Sequence, residues 1–316
     1  MNFSLQKKIT SYAIIILILV ASIEIFLRIL KIEYPIFQKH DEIRGFALLP
    51  NSKGNWKREG RGFVEINSDG LRDVEHSLKK PNNVYRIAIL GDSFAEARSV
   101  NLEDTFWFKL KSNLKNCRNK KFKNLEIINF GITEYGTTQQ YLTLKNNVWK
   151  YEPDLILLAF FSENDVADNS KKLSLKKYRP YYVIKNGDLV LDNSFKNSTP
   201  YKILSSIPGK IFIRISQHSR IAQLFREAYV QSYFKSLKKK EKNNIKKIFN
   251  KKKIEISNLY NPSDKNWSEA WLITEKIIKL INDDIKSKKK DFILISLSNP
   301  MQVHPNHEVV DKYLKM

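Results

Sequence analysis

A hydroxyl at the end of an apolar strand is a candidate nucleophile, and Arg86-Ile87-Ala88-Ile89-Leu90-Gly91-Asp92-Ser93-Phe94 has that form. The carboxyl ends of parallel strands are where α/β sheets place ligands. Ser93 would stand at that edge, with the N–H groups of a following helix aimed at developing negative charge. The same residue types cap helices, which leaves Asp92 and Ser93 a purely structural alternative. Two later segments supply what a nucleophile alone lacks. Asn129-Phe130-Gly131 closes a second apolar run with a glycine that lets a backbone amide approach a substrate. Ser162-Glu163-Asn164-Asp165 closes a third with a side-chain amide donor. Singly each is ordinary turn chemistry. Together Ser93, Gly131 and Asn164 form a parts list for acyl transfer: a hydroxyl nucleophile, a backbone donor and an amide donor for the oxyanion.

These residues need a sheet to bring them to one edge. Tyr85–Leu90, Leu125–Asn129, Leu155–Phe160 and Phe292–Leu297 are short, mostly apolar runs, the form taken by parallel strands covered on both faces. Helical text lies between them, for example at Thr105–Leu114 and Thr138–Trp149, and the βαβ order favours right-handed crossovers. The expected fold is therefore α/β, a three-layer αβα sandwich over residues 83–316. Residues 31–82, broken by Pro50, Gly54, Gly60, Gly62 and Gly70, read as a connector with edge-strand pieces such as Gly62–Ile66. Residues 170–262 read as an insertion over one rim, beginning with a hairpin-like piece at Tyr181–Leu191 and continuing as basic helical text.

At the amino terminus, Lys7 and Lys8 precede an apolar stretch of roughly the 20 residues that a helix needs to cross hydrocarbon. Residues 9–30 are expected to anchor the chain in the cell membrane in a single pass. Glu24 and Arg28, spaced by four, would pair at the interface. The positive-inside bias keeps residues 1–8 cytoplasmic and puts the main domain outside. A cleaved signal peptide is the competing reading, but Ala21-Ser22 is a poor cleavage site followed by more apolar residues.

Composition narrows the function classes. The net charge of +22 is carried mainly by lysine, densest from Lys238 to Lys253, without the interleaved aromatic residues of a nucleic-acid groove. That run reads as a solvated helix face, with an anionic membrane or acidic polysaccharide as the alternative. Nucleic acid is not an expected partner. Cys117 is the single cysteine, so the chain forms no internal disulfide. No spacing of histidines and carboxylates suggests a metal, and no cofactor is expected.

Across Tyr85 to Asn169, and more weakly to Pro300, the sequence resembles the SGNH (GDSL-like) serine hydrolases, which have a flavodoxin-like αβα fold. Gly91-Asp92-Ser93-Phe94 is similar to the family's GDS(L) block, Gly131 to its glycine block, and Asn164-Asp165 to the end of its GxND block, with Ser162 where that block has glycine. The resemblance implies Ser93 as nucleophile, and an oxyanion hole made by its own N–H, the Gly131 N–H and the Asn164 side chain. It implies an esterase or O-acyltransferase acting on an ester-bearing small molecule, cell-surface glycan or lipid. The alternative is a noncatalytic binding or assembly protein on the same scaffold.

The family's base is a histidine in a carboxy-terminal DxxH block, and no such block follows Asn164. Asp73-Val74-Glu75-His76 fits the letters but precedes the nucleophile, and is expected to reflect chance or surface charge. His40 and His218 have no catalytic companion in sequence. Three expectations follow, in order: the chain is cut short of its block, His304 or His307 supplies the base unconventionally, or catalysis has been lost.

Overall fold

A computed structural model of the chain describes residues 3–116, 124–174, 176, 178–232, 235 and 264–298. Cys117, the Lys238–Lys253 run, His304 and His307 lie outside the described residues.

Helix α1 (Phe3–Ile29) contains a 24-residue segment, Gln6–Ile29, long and apolar enough to cross a membrane. Its apolar side chains from Ile14 to Val20 all face outward, away from any protein core. Glu24 and Arg28 pair at 2.7 Å, the expected i,i+4 contact.

Two antiparallel hairpins follow, β1 (Gln38–Asp41) with β2 (Gly45–Leu48), and β3 (Lys53–Trp56) with β4 (Gly62–Glu65). They are more than a connector. Phe37, Phe46, Leu48, Val64 and Ile66 form a core with Ile132 and Tyr135, the residues just past Gly131. The hairpins are thus packed onto the edge where the candidate site lies.

The central domain runs β5 (Tyr85–Leu90), α2 (Ser93–Glu96), α3 (Phe106–Lys115), β6 (Leu125–Asn129), α4 (Thr137–Asn146), β7 (Leu155–Phe160) and α5 (Ser162–Asn169). A hairpin of β8 (Tyr181–Lys185) and β9 (Asp188–Asp192) leads to α6 (Thr199–Ser205), α7 (Ile207–His218) and α8, described over residues 220–232. Helix α9 (Lys265–Ser287) and β10 (Asp291–Ser296) end the described fold.

Four parallel strands form the sheet in the order β10-β7-β5-β6. Alternate residues of β5, β6 and β7 point to opposite faces, and both faces are covered. Ala88, Leu90, Ile128 and Leu158 pack against Leu144 of α4 and the Ile273, Ile277, Ile281, Ile285 stripe of α9. Ile87, Ile89, Ile127 and Ala159 pack against Trp107 of α3. The result is the expected αβα layering around a parallel sheet. The first three strands occupy the expected residues. The fourth begins one residue early because the Asp291 amide donates to the Asp154 carbonyl and extends the ladder.

Candidate active site

The ends of β5, β6 and β7 do meet at one edge. Leu90 pairs with Leu158 and Ile89 with Asn129, so Gly91–Ser93, Phe130–Gly131 and Phe161–Asn164 leave the sheet side by side. Their backbones stay linked beyond the ladder, since the Ile132 amide donates to the Gly91 carbonyl at 3.3 Å.

Ser93 opens α2 and is only partly buried. Among the described residues its hydroxyl has no hydrogen-bond partner. The capping alternative holds for Asp92 and not for Ser93: Asp92 Oδ1 accepts from the Phe94 amide at 2.9 Å, closing the first turn. Asp92 Oδ2 accepts from the Asn164 amide side chain at 3.3 Å, which ties the β7 end to the β5 end. Next in sequence to Ser93, Phe94 leans on Phe161 with ring centroids 4.6 Å apart, a second tie between the β5 and β7 ends.

The helix after Ser93 does not match the expectation. It is a single turn of four residues, ended by Ala97 in the left-handed region at φ 52° and ψ 43°. The carbonyls that a continuing helix would use are taken by side chains. Trp107 Nε1 and Asn129 Nδ2 donate to the Ala95 carbonyl at 3.0 and 2.9 Å, and Arg72 donates to the Glu96 carbonyl. One turn carries little macrodipole, so any stabilisation of negative charge at Ser93 must come from individual N–H groups. The turn is instead held rigidly: Glu96 is fully buried, pairs with Arg98, and accepts the Thr133 amide at 2.6 Å.

Gly131 fits closely against that turn. A Cβ at this position would come 2.3 Å from Ala95 Cβ and 2.9 Å from the Glu96 nitrogen. The glycine is required by close approach to that turn, a packing reason where the sequence suggested approach to a substrate. Its N–H donates to Asn129 Oδ1 at 3.0 Å, so in this state the amide is engaged with the protein itself. Asn164 lies in the first turn of α5 with its side chain exposed. Ser162 begins α5 with ordinary helical backbone, which accounts for the absence of glycine there.

Asn129 was not singled out by sequence reasoning, yet it joins the parts. Its side chain donates to Ala95 and accepts from Gly131, and its backbone N–H donates to Asp73 Oδ2 at 2.9 Å. Asp73 and His76 are correspondingly not a surface pair. Both side chains are buried, and His76 Nε2 stands 3.2 Å from Asp73 Oδ2, though without hydrogen-bond alignment. Their link to Ser93 passes through Asn129 and Ala95, and they support the end of β6. A cavity of about 730 Å³, lined in part by Arg72 and Asp73, reaches the same network. The other two described histidines have packing or surface roles. His40 stacks edge-on against Tyr201 at 4.4 Å, and burial lowers its pKa. His218 ends α7.

No family model matches the chain, and no curated protein shows significant similarity to it. The site therefore rests on its own geometry.

That geometry includes two perturbed carboxyls. Burial raises the pKa of Asp92, against the opposing hydrogen bonds from Phe94 and Asn164. Asp165 is fully buried, and burial first, then the Asp92 charge, push it well above the ordinary carboxylate range. Its oxygens accept from the Phe161 amide at 2.8 Å and from Gln140 Nε2 at 3.3 Å. Asp165 thus has a folded pKa above its unfolded value of about 3.9. Folding takes up a proton between those two values, so stability falls as pH rises through that window. Asp165→Asn is expected to flatten this dependence and to raise stability above the folded pKa. The substituted amide can also donate to Gln140 Oε1, which is buried without a partner among the described residues. Urea midpoints measured across the acid range check the slope.

Proposed function

We propose that the protein is a membrane-anchored serine hydrolase or acyl transferase of the SGNH type. It would act outside the cytoplasmic membrane on the ester bonds of a glycan, lipid or smaller molecule. The observation that carries the reading is the Ser93 hydroxyl. It stands partly exposed, with no hydrogen-bond partner among the described residues, at the end of a central parallel strand whose neighbour ends in the exposed amide of Asn164. In this reading Ser93 Oγ attacks the ester carbonyl. The Ser93 N–H and Asn164 Nδ2 receive the oxyanion, joined by the Gly131 N–H once it exchanges Asn129 Oδ1 for the substrate. Asp92 holds Asn164 in place until then. The base belongs to no described histidine, and His304 or His307 are the candidates within the chain.

A fluorophosphonate ester tests the nucleophile directly, because the serine oxygen displaces fluoride and keeps the phosphonyl group. Peptide mapping of the labelled full chain is expected to place the adduct on Ser93. A folded protein that acquires no adduct there would sink the reading. It would favour the second one, a noncatalytic scaffold, which the engagement of the Gly131 amide by Asn129 supports.

A further inference from the structure

The segment read as a basic insertion returns to the membrane helix. At the break between α7 and α8, the Glu24 carboxylate of α1 accepts the Arg220 and Ile221 amides at 2.9 and 3.1 Å and the Ser219 hydroxyl at 3.1 Å. Arg28 donates to the His218 carbonyl, the last of α7. One charged pair on α1 therefore caps the carboxyl end of one helix and the amino end of the next. Further ties fix α8 along the exit from α1: Arg220 to Glu33 at 2.8 Å, Gln223 to the Tyr34 amide at 3.0 Å, and Glu227 to Arg58 at 2.5 Å.

The elbow places apolar surface beside the anchor. Ile207, Ile211 and Ile215 recur at helical spacing along α7, each more than half exposed, and Phe225 and Tyr229 do the same on α8. Between them and α1 runs a groove of about 850 Å³, with Leu17, Val20 and Ala21 on one side and Phe212, Ile215 and Phe225 on the other. Leu17 lies 12 residues before the end of α1, about 18 Å along a helix rising 1.5 Å per residue. A groove that reaches Leu17 lies at hydrocarbon depth wherever α1 crosses a bilayer.

We propose that α7 is a second membrane-contacting element. It lies in the headgroup–acyl boundary of the bilayer that α1 spans, with Ile207, Ile211 and Ile215 in the acyl layer and lipid chains filling the groove. This rests on the reading of α1 as an anchor. The occupant is lipid because the apolar stripe is continuous with the lipid-facing surface of α1 and is held to it by the Glu24–Arg28 clasp. Exposed Lys202, Lys210 and Arg214 flank the stripe, the pattern by which an interfacial helix meets phosphate headgroups. Two contacts with one bilayer fix the orientation of the α/β domain, where a single spanning helix would leave it free to swing.

The test uses the full chain with Cys117→Ser, reconstituted in phosphatidylethanolamine–phosphatidylglycerol vesicles. Single cysteines at Leu17, Ile211, Phe225 and, as a solvent control, Asp188 carry a fluorophore, and nitroxide-labelled lipids serve as the quencher. The expected result is loss of emission at Leu17, Ile211 and Phe225, with Ile211 quenched best by shallow nitroxides and Asp188 unaffected. Quenching at Leu17 with Ile211 and Phe225 behaving like Asp188 overturns the proposal, whether water or another protein covers α7, and leaves the anchor standing. Absence of quenching at Leu17 removes the anchor, and the proposal with it.

Discussion

Ser93→Ala is expected to lower ester turnover by several orders of magnitude, up to about a millionfold, the scale seen when a serine nucleophile is removed from an otherwise intact site. The fold should not notice the change. The Ser93 hydroxyl is partly exposed and has no partner among the described residues, so its loss should cost no more than about 0.5 kcal/mol, as for surface substitutions away from special features. The neighbouring position behaves differently. Asp92→Ala removes the cap on Phe94 and the partner of Asn164, and should cost about 1 kcal/mol or more as well as activity. A matched pair of thermal melts and hydrolysis assays on the full chain thus separates chemistry from structure. Should Ser93→Ala keep the parent's rate on every ester tried, the enzyme reading fails. Should it lose the rate at unchanged melting temperature, the same assay on His304→Ala and His307→Ala asks whether the base lies within this chain.

The central strands were legible because parallel strands buried on both faces have no polar side to mark. Ile87–Leu90 and Ile156–Phe160 are unbroken apolar runs for that reason. The residues that end those strands were legible by type, since glycine, serine and asparagine are what a strand-to-helix turn requires. What each does there was not. Ala97 in a left-handed conformation cannot be read from a residue that favours helices. It follows from Trp107, Asn129 and Arg72 claiming the carbonyls of Ala95 and Glu96, contacts that span 12 to 34 residues. The Asp73–His76 pair looked like surface charge because nothing local says that Asp73 will receive an amide from Asn129, 56 residues on. The Glu24–Arg28 pair was readable from its spacing of four, whereas its partners at 218–221 lie roughly 190 residues away and leave no periodic trace.

Gly131→Ala is expected to be the most damaging small substitution at the site. The new methyl would meet Ala95 Cβ at 2.3 Å, the Glu96 nitrogen at 2.9 Å and the Ala95 carbonyl carbon at 3.0 Å. No flexible side-chain end is among these neighbours, so relief needs movement of backbone. Ala95 cannot retreat cheaply, because its carbonyl is held by Trp107 and Asn129, its side chain is fully buried, and its neighbour Glu96 is bonded to Arg98, Thr133 and Arg72. Overpacking of this kind costs about 1–3 kcal/mol and occasionally more, and the rigidity of the turn puts this site at the upper end. Gly91→Ala meets Ala95 Cβ at 2.7 Å, and Ala159 Cβ at 3.3 Å, so it should be somewhat milder. Whatever movement relieves the Gly131 methyl carries Ser93 with it, since both bound the same single turn. Displacement of a nucleophile by about 1 Å can cost a hundredfold in rate. The decisive measurement is the double replacement Ala95→Gly with Gly131→Ala, which removes the worst clash. Recovery of both melting temperature and turnover would show that contact with α2 is what the glycine serves. Recovery of stability without turnover would show that the space beside the Gly131 amide must stay clear for the substrate, since alanine keeps the N–H and adds only the methyl.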